Sequence, residues 1–81
     1  MRLDKYLKIA RIIKRRTIAN EACDAERVLV GGKVARASYD VKIGDEIEVQ
    51  LGARAIKCKV LSVNEYAKKE EAALMYQVIE E

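Results

Sequence analysis

The apolar residues of this chain change their spacing near residue 27, and that switch decides the fold class. From Leu3 to Ile13 the apolar positions Leu3, Tyr6, Leu7, Ala10 and Ile13 recur at three- and four-residue intervals. That spacing is one face of an amphipathic helix, with Lys5, Lys8 and Arg11 on the other side. Asp4 falls in the first turn, where a carboxylate complements the positive helix end. Lys14-Arg15-Arg16 has no apolar anchor and reads as a connector. Thr17 then predicts the N-cap of a second helix running to about Glu26, with Ile18, Ala22 and Ala25 facing inward.

Beyond residue 27 the period drops to two. Val28-Leu29-Val30 and Lys33-Val34 flank Gly31-Gly32, a two-residue turn that tolerates positive φ at both positions. Val41-Lys42-Ile43-Gly44-Asp45 predicts another tight turn. Ile47, Val49 and Leu51 alternate with Glu46, Glu48 and Gln50, and Ile56, Cys58 and Val60 alternate with Lys57 and Lys59. Each pattern is a strand with one buried face. Residues 66–74 read as a short charged helix and Met75–Ile79 as a closing strand. The class is α+β: two N-terminal helices packed on a small, largely antiparallel sheet, followed by a short C-terminal helix and the closing strand.

A chain of 81 residues has room for one core, so residues 1–81 are expected to form a single domain. Without proline and with four glycines there is little linker material. No apolar run approaches the ~20 residues that span a bilayer, and the charged first residues do not resemble a signal peptide. The expectation is a cytoplasmic protein with no membrane partner. Cys23 and Cys58 sit among apolar neighbours, and histidine is absent. Zinc needs about four ligands at characteristic spacings. The two thiols are therefore expected to be reduced, buried hydrophobes, and no metal or other cofactor is implied.

Charge is far less evenly spread than the net +3 suggests. Residues 1–20 hold seven basic side chains against Asp4 alone, whereas residues 21–81 hold nine basic and twelve acidic ones. The candidate RNA-binding residues are Arg2, Lys5, Lys8, Arg11, Lys14, Arg15, Arg16 and Thr17. Arginine forks match phosphate oxygens bidentately and lysines act as mobile point charges, so such a cluster suits a nucleic-acid backbone. Lysines on a helix are ordinarily a solvated face. The Lys14–Thr17 run goes further, because it adds a hydroxyl and the positive end of a helix to three cations.

Catalysis finds little to work with. Ser38 and Ser62 have no base beside them in sequence. Asp45-Glu46, Glu70-Glu71 and Glu80-Glu81 read as turn, helix-surface and tail charges. Gly31-Gly32 lacks the GxxxxGK[ST] context of a phosphate loop. Tyr39, in a polar loop, could stack on a base, whereas Tyr6 belongs to the apolar face of the first helix. The chain is not expected to be an enzyme.

Four elements in order, Arg2-Leu3-Asp4-Lys5-x-Leu7, Lys14-Arg15-Arg16-Thr17, Val28-x-Val30-x-Gly32 and Val41-x-x-Gly44-Asp45-x-Ile47-x-Val49, resemble the RNA-binding domain first known from ribosomal protein S-four, the alpha-L motif. The resemblance covers residues 1–51 and leaves residues 52–81 as a strand-helix-strand extension. Arg54 to Leu61, Lys69-Glu70-Glu71-Ala72 and Met75-Tyr76 make the whole similar to a family of bacterial ribosome-quality-control factors related to the fifteen-kilodalton heat-shock protein. The resemblance implies a protein, monomeric off the ribosome, that binds obstructed large subunits through 23S rRNA and peptidyl-tRNA. It would hold the P-site tRNA during C-terminal alanine tailing of the stalled chain, beside a factor that recruits alanyl-tRNA. Arg2 and Arg16 would be the RNA contacts, with Lys14 and Arg15 beside them and Asp4 orienting the arginines. The alternative is a heat-shock-type or general rRNA-binding, chaperone-linked module without a tailing role. Gly31-Gly32 stands where the family usually has Asn-Gly; the turn survives this change, and any contact of the asparagine side chain is lost.

Overall fold

The computed structural model describes residues 1–79, and its first helix ends earlier than the apolar spacing predicts. Helix α1 spans Leu3–Ile9, not Leu3–Ile13. Arg11 enters the left-handed region at φ 60°, the Ile12 N–H donates to the Leu7 carbonyl at 3.0 Å and the Arg11 N–H to the Lys8 carbonyl at 3.1 Å. This is a Schellman stop, which satisfies the last carbonyls of the helix and turns the chain. Ile13 is still buried beyond it, so the apolar spacing predicts the core position but overextends the helix.

Helix α2 spans Arg16–Asp24 and ends in the same way. Glu26 sits at φ 62°, with Arg27 N–H to Ala22 C=O at 2.9 Å and Glu26 N–H to Cys23 C=O at 3.0 Å. Thr17 is not its cap: Arg15 holds the cap position with extended backbone, and Thr17 lies in the first turn. The inward stripe is also rotated. Ala19 and Cys23 are buried, whereas Ile18 is 48% exposed. Small residues at the contact let α2 approach α1 closely, and a polar anchor described below sets its rotation.

Five strands follow: β1 Val28–Val30, β2 Lys33–Val34, β3 Glu46–Leu51, β4 Arg54–Val60 and β5 Tyr76–Val78. They form one sheet in the order β2-β1-β3-β4-β5, antiparallel at every pairing. Gly31 and Gly32, at φ 60° and 84°, make the left-handed turn that the right-handed strand twist requires. Val30, Ile47 and Cys58 lie side by side across β1, β3 and β4, and Val28 faces Val49. On the other face Glu46 pairs with Lys59 and Glu48 with Lys57, opposite charges that support the register. Leu51, expected on the buried face, is 41% exposed. It overhangs β1, whose pairing with β3 stops at Val28 and Val49.

The segment read as a helix over residues 66–74 is a 3-10 helix confined to Lys69–Leu74. Leu3, Tyr6 and Leu7 of α1, the inner strand residues and Met75 share one buried cluster. The Tyr6 hydroxyl donates to the Met75 carbonyl at 2.7 Å, and burial pushes its ionisation well above the ordinary tyrosine range. Both cysteines are buried free thiols. Among the described residues no helix is long and apolar enough to cross a membrane. Glu80-Glu81, read as tail charges, lie outside the described residues.

Candidate nucleic-acid interface

The start of α1 is held by backbone rather than by a capping side chain. The Leu3 N–H donates to the Tyr39 carbonyl at 2.8 Å and the Asp4 N–H to the Ala37 carbonyl at 3.2 Å, so two donors that a helix leaves open are closed by the 37–39 loop. With those donors engaged, the Asp4 side chain is free to turn toward α2.

Asp4 is the one buried charged residue among those described, 2% exposed. Its Oδ1 accepts from Arg2 Nε at 3.2 Å and from the Lys5 backbone N–H at 2.8 Å. Its Oδ2 accepts from Arg16 Nε at 3.4 Å, Asn20 Nδ2 at 3.3 Å and Arg2 Nη2 at 3.5 Å. Burial alone would raise the carboxyl's pKa. Donation from Asn20, Arg2, the Lys5 N–H and Arg16 outweighs that penalty and holds the group below its ordinary value. Arg16 and Asn20 are one helical turn apart, so both reach the same oxygen only if α2 is rotated as observed. This is why Ala19 and Cys23, rather than Ile18 and Ala22, face the core.

The arginines themselves stay in water: their side chains are 51% and 48% exposed. Asp4 occupies the inner edge of each guanidinium and leaves most of its N–H donors outward, fixed in direction. Held forks of this kind lose little entropy on meeting a phosphate. Arg15 and Thr17 are exposed beside them.

The other candidates divide differently. Lys5 extends toward the C-terminal segment, its Nζ 3.6 Å from Glu65 Oε1, a half-exposed pair that water screens. Lys8, Arg11 and Lys14 line a separate groove with Lys68 and Lys69. Tyr39 donates its hydroxyl to Asp45 Oδ2 at 2.9 Å; that bond is the main reason its ionisation is raised, and the half-buried ring belongs to the loop that holds α1. Sequence reasoning missed Asn20, although its four-residue distance from Arg16 was the available signal. It also missed Lys68 and Lys69, which no local pattern joins to residues 8–14.

The S4 domain family model matches residues 1–47. The RQC P-site tRNA stabilizing factor of Streptococcus pneumoniae is 49% identical over 81 residues, covering 100% of this chain and 92% of the relative. The protein of the same name from Bacillus subtilis is 48% identical, covering 100% and 94%. Among solved structures, the trimeric heat shock protein 15 of Vibrio cholerae superposes with a TM-score of 0.89 at 28% identity, over 98% of this chain and 81% of the other. The chain thus belongs to the S4 domain family, and within it to the group of these tRNA-stabilizing-factor relatives.

Proposed function

We propose that this chain is a non-enzymatic RNA-binding factor of ribosome quality control that stabilises P-site tRNA on obstructed large subunits. The observation that carries the reading is the Asp4 clamp: one buried carboxylate aims two half-exposed arginines outward within the region matched by the S4 family. The full-length likeness to proteins named RQC P-site tRNA stabilizing factor supports the choice of tRNA as partner. In finer detail, the protein contacts 23S rRNA and peptidyl-tRNA together and keeps the tRNA in place during alanine tailing, alongside the factor that recruits alanyl-tRNA. It acts in the cytoplasm, as a monomer off the ribosome and without a cofactor. Residues 1–81 act as one unit, with 1–51 as the RNA-binding core and 52–81 as the extension.

A cluster of cations alone would bind any exposed rRNA, with affinity falling steeply with salt as each phosphate contact releases ~0.7–0.9 counterion. Selectivity for subunits that hold a tRNA requires two RNA surfaces on one protein, which adds effective concentration to weak single contacts. The test is quantitative pelleting with purified large subunits, with and without P-site peptidyl-tRNA, across a salt series. Preference for the tRNA-bearing subunits at every salt supports the proposal. Equal affinity would leave the alternative, a heat-shock-type or general rRNA-binding, chaperone-linked module without a tailing role.

A further inference from the structure

The Asp4 clamp uses only part of the positive charge at this end of the protein. At the end of α1, Lys8, Arg11 and Lys14 line an open groove together with Ala67, Lys68 and Lys69. The five cations come from the end of α1, its left-handed stop, the connector and the segment before the 3-10 helix. Among the described residues no carboxylate lines the groove, and none of the five cations has an ion-pair partner. Convergent unpaired cations repel one another, and a polyanion laid between them relieves that repulsion.

A second observation lies next to the groove in the chain. Tyr66, one residue before Ala67, is 86% exposed, more than any other large apolar side chain among those described. Its position is not left to a loose loop, because its N–H donates to Asn64 Oδ1 at 3.0 Å and the turn is thereby set. An exposed aromatic ring one residue from a cation-lined groove suits RNA with unpaired bases: phosphates track the charges and a base stacks on the ring.

We propose that the groove between α1 and residues 66–69 is a second RNA seat, distinct from the Asp4 clamp, which takes a phosphate backbone along its five cations and an unpaired base on Tyr66. This rests on the RNA-binding function above and assigns the second of the two RNA surfaces that function needs. An acidic protein segment would satisfy the charges but would make no use of the ring.

Fluorescence anisotropy of the full chain tests the seat, against an RNA stem-loop with an unpaired loop and a blunt RNA duplex of equal length, over a potassium chloride series. Lys68→Ala with Lys69→Ala should reduce the slope of log affinity against log salt by about 1.5. Tyr66→Ala should weaken stem-loop binding roughly 5- to 150-fold and leave duplex binding unchanged. All three side chains are exposed, so unchanged circular dichroism and melting are expected for both variants. An unaltered salt slope, an equal effect of Tyr66→Ala on both RNAs, or displacement of the stem-loop by polyglutamate at matched charge would each overturn the seat. In those cases a retained preference of the wild-type protein for tRNA-bearing subunits would leave the proposed function standing. Failure of the wild-type protein to bind any RNA or subunit would remove both.

Discussion

Asp4→Asn is the substitution on which most depends, because it keeps the shape of the buried carboxyl and removes its charge. Asp4 accepts from the Lys5 N–H, Asn20 and two guanidinium groups. The bonds to Lys5 and Asn20 are each worth about 1 kcal/mol, and the two half-exposed guanidinium pairs about 0.5 kcal/mol each after solvent screening. An amide keeps one oxygen and turns an NH2 group toward donors, so about 2 kcal/mol should be lost. For a domain of this size that is a fall in melting temperature of roughly 8–16 °C. The pH dependence carries a second signature. The folded Asp4 carboxyl lies below its ordinary value, so its contribution is complete at neutral pH and is lost as pH falls through the carboxylate range, below about pH 4. Asp4→Asn should abolish that share of the acid sensitivity. Large-subunit affinity should drop as well, measured at a temperature where the variant is folded, because Arg2 and Arg16 lose their common anchor. Melting within ~0.5 kcal/mol of the wild type, with an unchanged acid profile, would refute the clamp.

Three further outcomes are expected. Glu26→Gly should raise stability by about 0.5–1 kcal/mol in urea unfolding, because Glu26 occupies the left-handed stop of α2 at φ 62°. Tyr6→Phe should cost only about 1 kcal/mol by the same measurement, since the Met75 carbonyl still accepts from the N–H groups of Leu61 and Ser62; a loss above 3 kcal/mol would mean that the hydroxyl does more than close this bond. Burial pushes both thiols up to about 11, so at pH 8 a thiol reagent should modify Cys23 and Cys58 slowly in the folded protein and rapidly in urea, and fast labelling under native conditions would contradict their burial.

The elements that could be read in advance were those governed by one neighbourhood of sequence. The period-two alternation of Ile47, Val49, Cys58 and Val60 placed the inner face of the sheet, and Gly31-Gly32 placed the hairpin, because both signals are local. The helix limits were harder. A glycine normally advertises a left-handed stop, and here Arg11 and Glu26 occupy those positions, so composition gave no warning. Thr17 looked like a cap by residue type, but the start of α2 is decided by the reach of Arg16 and Asn20 to a carboxylate twelve or more residues away. For the site, the cluster of cations was visible and its partition was not. Asp4 gathers Arg2 and Arg16 to one side, while Lys8, Arg11 and Lys14 meet Lys68 and Lys69 only through the tertiary fold. Ile18 misled because its bulk suggests burial, whereas the contact between the helices favours the smaller Ala19.

The hydrogen bond from Tyr6 to Met75 joins positions 69 residues apart, and it sets an order of events during synthesis. Helix α1 is made first, but the buried cluster it belongs to is completed by Met75, among the last residues described. A helix of seven residues is too short to persist in water by itself. Until residue 75 has been added, the buried cluster that anchors α1 is incomplete, and the spacing of Arg2 and Arg16 is held less firmly. The far end of the core closes over the near one last, so a chain interrupted before that point should hold the binding surface less firmly even though every arginine in it had already been made.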